Sequence, residues 1–303
     1  MKKILNVSNV LFLLALLIEA IPSKREGVQP LYYIFVILFL EIFHILLKIV
    51  FGRNKEKAQT VSDITAIVFS LLIVWELVTT KFDLAEKFLF PAPAAVFRLF
   101  ISELPELLKG LISSLQLLFG GYVLALVLAI PLALVIGWRK RLYKAVNPLT
   151  KVLGPIPPIV YIPYAIALLP TFKASSIFII FIGAFWPIFI NTLNGVFNVE
   201  KRIIDSAKAL NVNEKSMLFQ IILPATLPAI ISGATIGLVL SFILLTAAEM
   251  IGATSGLGWY VKYFSDFADY PRVIVGIIFI GMVVTAITFV FDRIEGYLLR
   301  WRK

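Results

Sequence analysis

Few residues in this chain could do chemistry, and they are scattered. There is one histidine, His44, and no cysteine. That excludes thiol catalysis, disulfides, Cys–zinc sites and any multi-histidine metal centre. Glu41 lies one helical turn before His44, so the two could pair or relay a proton; a structural pair or a contact with a neighbouring subunit is the expectation. Glu249 stands near the end of an apolar run, where it could line a pathway, brace an outer gate, snorkel to water or cap the following turn. Glu19 and Glu76, near the ends of apolar runs, read as interfacial. Ser241, Thr246 and Thr254 could offer hydroxyls to a solute, but small polar residues in apolar helices more often bond neighbouring helices. No pair of carboxylates, Ser/His/Asp set or Gly-x4-Gly-Lys-Ser/Thr phosphate loop is present, which argues against an enzyme.

The residues that must position these groups are overwhelmingly apolar. Of 303 residues, 60% are hydrophobic and only 15% are charged, against about 25% charged in a soluble domain. The charges cluster and leave long runs with none. Such runs, with no alternating ten-residue pattern of a β-barrel, read as membrane-spanning helices. Eight segments are expected to span, at roughly residues 4–21, 30–50, 62–80, 111–136, 150–169, 174–197, 224–250 and 271–292. Glu19-Ala20-Ile21-Pro22 lacks a small-x-small cleavage pattern, so the first is read as an uncleaved span. The net charge of +10 belongs to the loops rather than to a nucleic-acid surface. Lys2 and Lys3; Arg53, Lys55 and Lys57; Arg139, Lys140, Arg141 and Lys144; Lys201, Arg202, Lys208 and Lys215; and Arg293, Arg300, Arg302 and Lys303 fall in every second connection. This places both termini in the cytoplasm, with Lys24 and Arg25 a mild exception in an outer loop. Residues 81–110, with balanced charge and Pro91 and Pro93, read as an amphipathic segment at the outer interface. Residues 251–271 suit an outer loop with a re-entrant turn or short helix. The prolines at 155, 157, 158 and 163 should kink or delay a helix, and broken helices often line transport paths. The spans look poor in fixed cations.

The longest basic loop, residues 198–223, has internal order. Ile203, Ile204, Ala207 and Leu210 recur at helical spacing, which predicts a short amphipathic helix. Asn211 to Asn213 should break it, since asparagine tolerates the left-handed conformation of a sharp turn. Met217, Leu218, Ile221 and Ile222 begin a second helix, and Pro224 marks entry to the next span. An apolar face that a lone loop cannot bury needs a cytoplasmic partner.

This loop resembles the Glu-Ala-Ala loop of ABC importer permeases. In the family that motif is followed by three residues, Gly, nine residues and Ile-x-Leu-Pro. Asp205-Ser206-Ala207 holds the first position, Asn211 the glycine, and Ile221-Ile222-Leu223-Pro224 follows in register. Three more stretches are similar to the nitrate, sulfonate and taurine permease family. Ala248-Glu249-Met250-Ile251-Gly252-Ala253 with Ser255-Gly256-Leu257-Gly258-Trp259 resembles the end of its fifth core helix. Pro155-Ile156-Pro157-Pro158 with Tyr161-Ile162-Pro163 resembles its third, and Pro91-x-Pro93 its outer segment.

The resemblance implies an all-α, polytopic bundle: a six-helix permease domain of the type I importer kind over residues 62–303, preceded by two extra helices in residues 1–61. It implies a homodimer in a bacterial cytoplasmic membrane, served by a cytoplasmic ABC ATPase dimer and an extracytoplasmic solute-binding protein. The chain would bind no cofactor; ATP and Mg would sit on the ATPase. The coupling loop, 198–224, would present Ile203, Asp205, Ser206, Ala207, Leu210, Asn211, Ile221, Leu223 and Pro224. Pro158, Pro163 and Glu249 would line or gate the path. The implied solute is a small anion such as a sulfonate, taurine, nitrate or bicarbonate, or a vitamin precursor such as a thiamine pyrimidine or riboflavin. The alternative is an ion-coupled secondary transporter working without an ATPase, although such a carrier does not need the loop at 198–223. An export permease would couple through different loops.

Overall fold

The computed structural model describes residues 7–52 and 54–302; Lys2, Lys3, Arg53, Lys303 and the start of the first expected span lie outside them. All regular elements among the described residues are helices. They are α1 (Val7–Ile18), α2 (Leu31–Phe51), α3 (Lys55–Lys81), α4 (Pro93–Trp138), α5 (Lys140–Leu153), α6 (Ile162–Leu168), α7 (Phe172–Phe197), α8 (Lys201–Ala209), α9 (Glu214–Gly252), α10 (Leu257–Asp266) and α11 (Tyr270–Leu298). Six of them, α2, α3, α4, α7, α9 and α11, are long and apolar enough to cross a membrane.

The expected span at 150–169 is instead a bent pair. Residues Lys140–Leu153 and Pro158–Leu168 meet at 81°. Proline cannot donate to the preceding turn, and Pro155, Pro157 and Pro158 stand at that break. The short 3-10 turn Pro158–Tyr161 begins the second arm. The described part of α1 has 12 helical residues; at 1.5 Å per residue these reach about 18 Å of the ~30 Å hydrocarbon core.

Residues 81–110, read from sequence as an amphipathic segment, are a short connection followed by the first turns of α4. Pro93 occupies the first helical position, where its missing N–H costs nothing. From there the helix continues unbroken for 46 residues to Trp138. Only residues 82–92 connect, starting at Asp83 in a left-handed conformation, φ 50°.

The chain divides into two compact units: Met1–Glu106 with Tyr263–Ile278, and Leu107–Lys262 with Phe279–Lys303. In the first, α1, α2 and α3 pack together around Ala15, Tyr33, Ile37, Phe69 and Ile73. Several polar groups in this unit pair internally. His44 lies 3.3 Å from the Glu41 carboxylate and, through its other nitrogen, 3.3 Å from the Ser62 hydroxyl. The buried Arg25 donates to Asp83 at 2.8 Å and to the carbonyls of Phe90 and Ala85 at 2.6 and 2.8 Å, so it clamps the connection. That interior role accounts for the departure of Arg25 from the alternation of basic connections. Glu19 and Glu76, read from sequence as interfacial, are turned inward. Both face the buried Lys81 ammonium, at 3.1 and 3.9 Å. A long lysine on the last turn of α3 folds inward because two carboxylates offset its desolvation.

In the second unit, α7 and α9 pack along most of their length. Their core joins Leu118, Ala125, Ala129 and Ala133 of α4 to Ile180, Ala184, Ile188 and Leu193 of α7 and Leu238 and Leu245 of α9. Small side chains let the backbones approach, which is how helices associate where lipid is as apolar as leucine. Tyr122 ties α4 to α9 by donating to the Ala234 carbonyl at 2.9 Å.

Candidate functional site

Three places in the second unit hold the residues that sequence marks out, together with others it does not. The first is the loop. The nine residues of α8 form the amphipathic helix expected. Asn211 has φ 52°. Its N–H donates to Lys208 O at 2.9 Å, and the N–H of Val212 donates back to Ala207 O at 3.2 Å. These two bonds close a Schellman cap with asparagine at the left-handed position usually held by glycine. Two residues on, Asn213 caps the next helix by accepting from Ser216 N at 2.8 Å. A sharp, doubly capped corner therefore fixes α8 against the start of α9.

Only part of α8 is used for that attachment. Ala207 is 5% exposed and packs with Leu134, Val196, Met217 and Ile222. Ile203 is 41% exposed and Leu210 79%. Asp205, Ser206, Asn211 and Pro224 face solvent, while Ile221 and Leu223 are half-buried against the same cluster as Ala207. Between α8 and the ends of α4 and α7 lies a cavity of about 580 Å³ lined by Trp138, Phe197, Ile204, Asp205 and Lys208. Within α9, residues Met217–Ile222 form a π-helical stretch, a form that concentrates at functional sites. Two leucine-sized side chains thus stand in the open on a rigid helix whose backbone bonds are complete.

The second place is the far end of α9. Glu249 is 1% exposed. One carboxylate oxygen accepts from Ser114 of α4 at 2.6 Å, and the other from the N–H of Gly258 at 2.7 Å. Ser114 in turn accepts from Leu257 N at 2.9 Å. The start of α10 is thereby fastened to both α4 and α9. Gly256 makes this possible, because its φ is +131° and a Cβ there would fall on the Glu249 carboxylate. The glycine-rich turn beside Glu249 is legible in sequence; Ser114, more than a hundred residues away, is not.

The third place is the broken span. Pro158 opens the second arm and is half-buried, while Pro163 is exposed. At the break, Gly154 lies so close to α7 that a Cβ would meet Ile190 Cδ1 at 2.8 Å. An open cavity of about 640 Å³ lies beside it, lined in part by Tyr143, Asn147, Thr150, Lys151 and Asn194. Sequence reading singled out none of these five.

Among the described residues no group of three or more His, Asp or Glu side chains could hold a metal ion. What this architecture offers is a helical bundle, an exposed amphipathic helix and a broken span. Residues 121–303 match the family of binding-protein-dependent transport system inner membrane components. The chain belongs to that family and is the permease subunit of an ATP-driven importer. It is 30% identical to a putative ABC transporter permease protein of Methanocaldococcus jannaschii, over 77% of this chain and 89% of that protein. It is 32% identical to the nitrate import permease protein of a Synechocystis strain, over 70% of this chain and 80% of that protein. With the bicarbonate transport system permease protein of Synechococcus elongatus the identity is 31%, over 64% of this chain and 70% of the relative. The inward-facing MetNI methionine ABC transporter shares the fold, with a TM-score of 0.56 at 20% identity, over 65% of this chain and 98% of that one.

Proposed function

We propose that this permease imports a small oxyanion of the nitrate or bicarbonate kind, as a homodimer gripped by two ATPase subunits through α8. Sulfonates such as taurine fall in the same chemical class. A vitamin precursor such as a thiamine pyrimidine or riboflavin would be the exception. The observation that carries the assembly is the exposed pair Ile203 and Leu210 on a helix already capped at its end. Burying such side chains is worth about 1.5–3 kcal/mol each, and nothing else in the second unit covers them. Two relatives whose names specify nitrate and bicarbonate support the solute class.

In this reading α8 lies in the cytoplasm, both termini lie on that side, and a binding protein delivers solute from outside. The chain itself is not catalytic and holds no cofactor; ATP and Mg sit on the ATPase. Residues 62–303 form the permease domain, and 1–61 add two helices to it. Closing of the ATPase pair on ATP pulls Asp205, Ser206, Ala207 and Asn211 as one rigid corner. The motion passes through Ile221, Leu223 and Pro224 into α9, whose far end carries Glu249. Glu249, with Pro158 and Pro163 of the broken span, then sets the outer gate. A population shift of this kind needs only that ATP-bound ATPase prefer one arrangement.

The test is co-purification. The chain is expressed with its genomic neighbours, purified by a tag in detergent, and assayed for a bound ATPase. Reconstitution into vesicles with the binding protein then measures ATP-driven uptake of nitrate, bicarbonate and taurine. A chain that purifies alone and carries solute on an ion gradient would restore the secondary transporter.

A further inference from the structure

We propose that the cavity at the broken span is an oxyanion site on the α8 side of the permease, with Lys151 as its counter-charge. This rests on the anion reading above and adds a place to it. The cavity, about 640 Å³, lies within the 300–1,000 Å³ typical of small-molecule sites. Its lining is one-sided in charge: Lys151 is present and no Asp or Glu is. Among the described residues no ion pair or hydrogen bond engages the Lys151 ammonium. An amine on the last turn of α5 offsets the partial negative charge of that helix end, yet this leaves all three of its donors free.

The polar neighbours are arranged to donate. Tyr143 donates its hydroxyl to Asn194 Oδ1, at 3.4 Å, and stacks on Phe197 with ring centres 3.9 Å apart. With its oxygen so engaged, Asn194 has its amide N–H groups left to offer the cavity. The Asn147 side chain has no partner among the described residues and can turn its amide the same way. An ammonium and two amides suit a planar or tetrahedral oxyanion, which needs several donors around one negative charge. Ile190 supplies an apolar wall. The 81° bend makes the site possible, because it turns α6 away and leaves α5 and α7 flanking an open space.

The same chemistry would hold the phosphate of a lipid headgroup, so the experiment separates the two. The complete importer, with ATPase and binding protein, is reconstituted in vesicles of phosphatidylcholine alone and with added phosphatidylglycerol. ATP-driven uptake of nitrate, bicarbonate and taurine is measured for the wild type, Lys151→Gln, Lys151→Arg and Asn194→Ala. The expected result is an uptake loss of about tenfold or more for Lys151→Gln in both vesicle types, the loss of a charge-assisted hydrogen bond. Lys151→Arg should retain most uptake, and Asn194→Ala should lose a smaller factor. The ATPase activity and thermal midpoint of each complex should match the wild type, which a role confined to the helix end would not leave true. If the wild type carries an anion and Lys151→Gln carries it equally well, the site is wrong and the anion reading survives. If Lys151→Gln matters only with phosphatidylglycerol, the cavity is a lipid site. If the wild type carries none of the three anions, the anion reading falls and the site falls with it.

Discussion

The two ends of α9 invert the usual placement of charge and oil. At the α8 end, Ile203 and Leu210 stand exposed on a helix whose backbone bonds are complete. At the other end, Glu249 is buried with both carboxylate oxygens bonded. An uncovered apolar pair on an ordered helix costs free energy until something covers it. A buried carboxylate costs several kcal/mol unless donors surround it. One end is therefore unfinished and the other complete. In the proposed reading the unfinished end is where the ATPase acts, and the complete end is a joint within the chain. On that reading, a signal entering at α8 reaches the turn at residues 253–258 only if α9 moves as one body between them.

The largest effect should come from the unfinished end. Replacing both Ile203 and Leu210 with Asp should remove at least about 3 kcal/mol of association, more than a hundredfold in Kd for the ATPase. Pull-down with the tagged chain reads this directly, and helicity by circular dichroism should not change. Retained co-purification would mean that α8 is not the grip.

That end was also the more legible in sequence. The amphipathic spacing of Ile203, Ile204, Ala207 and Leu210 marks a helix locally, and Asn211 marks its stop, because a Schellman cap is written within six residues. The eight apolar runs mark spans by composition alone, and most of them are there. What failed was long-range or depended on competition. Proline and charge in 81–110 did not reveal that α4 begins at Pro93, which starts a helix as readily as it stops one. Glu19 and Glu76 read as surface groups because no local pattern tells that Lys81 turns inward between them. Ser114 was invisible as the partner of Glu249, and Lys151 passed unmarked at the start of an expected span.

The buried ion cluster of the first unit is a second complete joint, and breaking it should cost more than breaking Glu249. Lys81→Met leaves two buried carboxylates without their cation, a loss of about 3–5 kcal/mol. It should lower the thermal midpoint in detergent by several degrees. A variant as stable as the wild type would mean that Glu19 and Glu76 are not held by Lys81. Glu249→Ala strands the N–H of Gly258, worth about 1–3 kcal/mol, and frees α10 from α4. Its expected signature is faster hydrogen exchange at residues 256–260 with ATPase binding intact, the reverse of the α8 variant. Equal protection in both proteins would sever Glu249 from the turn.

The smallest effect is at the connection after α3. The Arg25 guanidinium beside Asp83, aided by Lys87, holds the Asp83 carboxyl below the usual carboxylate range. A depressed folded-state pKa contributes stability that is present above the unfolded value of about 4 and is lost as pH falls through the folded one. Acidifying from pH 7 to below about 4 should therefore loosen residues 82–92 before the helices. Asp83→Asn should remove that part of the pH dependence while lowering stability at pH 7. The other Arg25 bonds, to the carbonyls of Ala85 and Phe90, do not titrate, so the clamp should weaken under acid without opening. Proteolysis across a pH series, scored at Phe88 to Phe90, distinguishes a weakened clamp from an opened one. Full cleavage in acid would show that the Asp83 pair, and not the carbonyl pair, holds the connection.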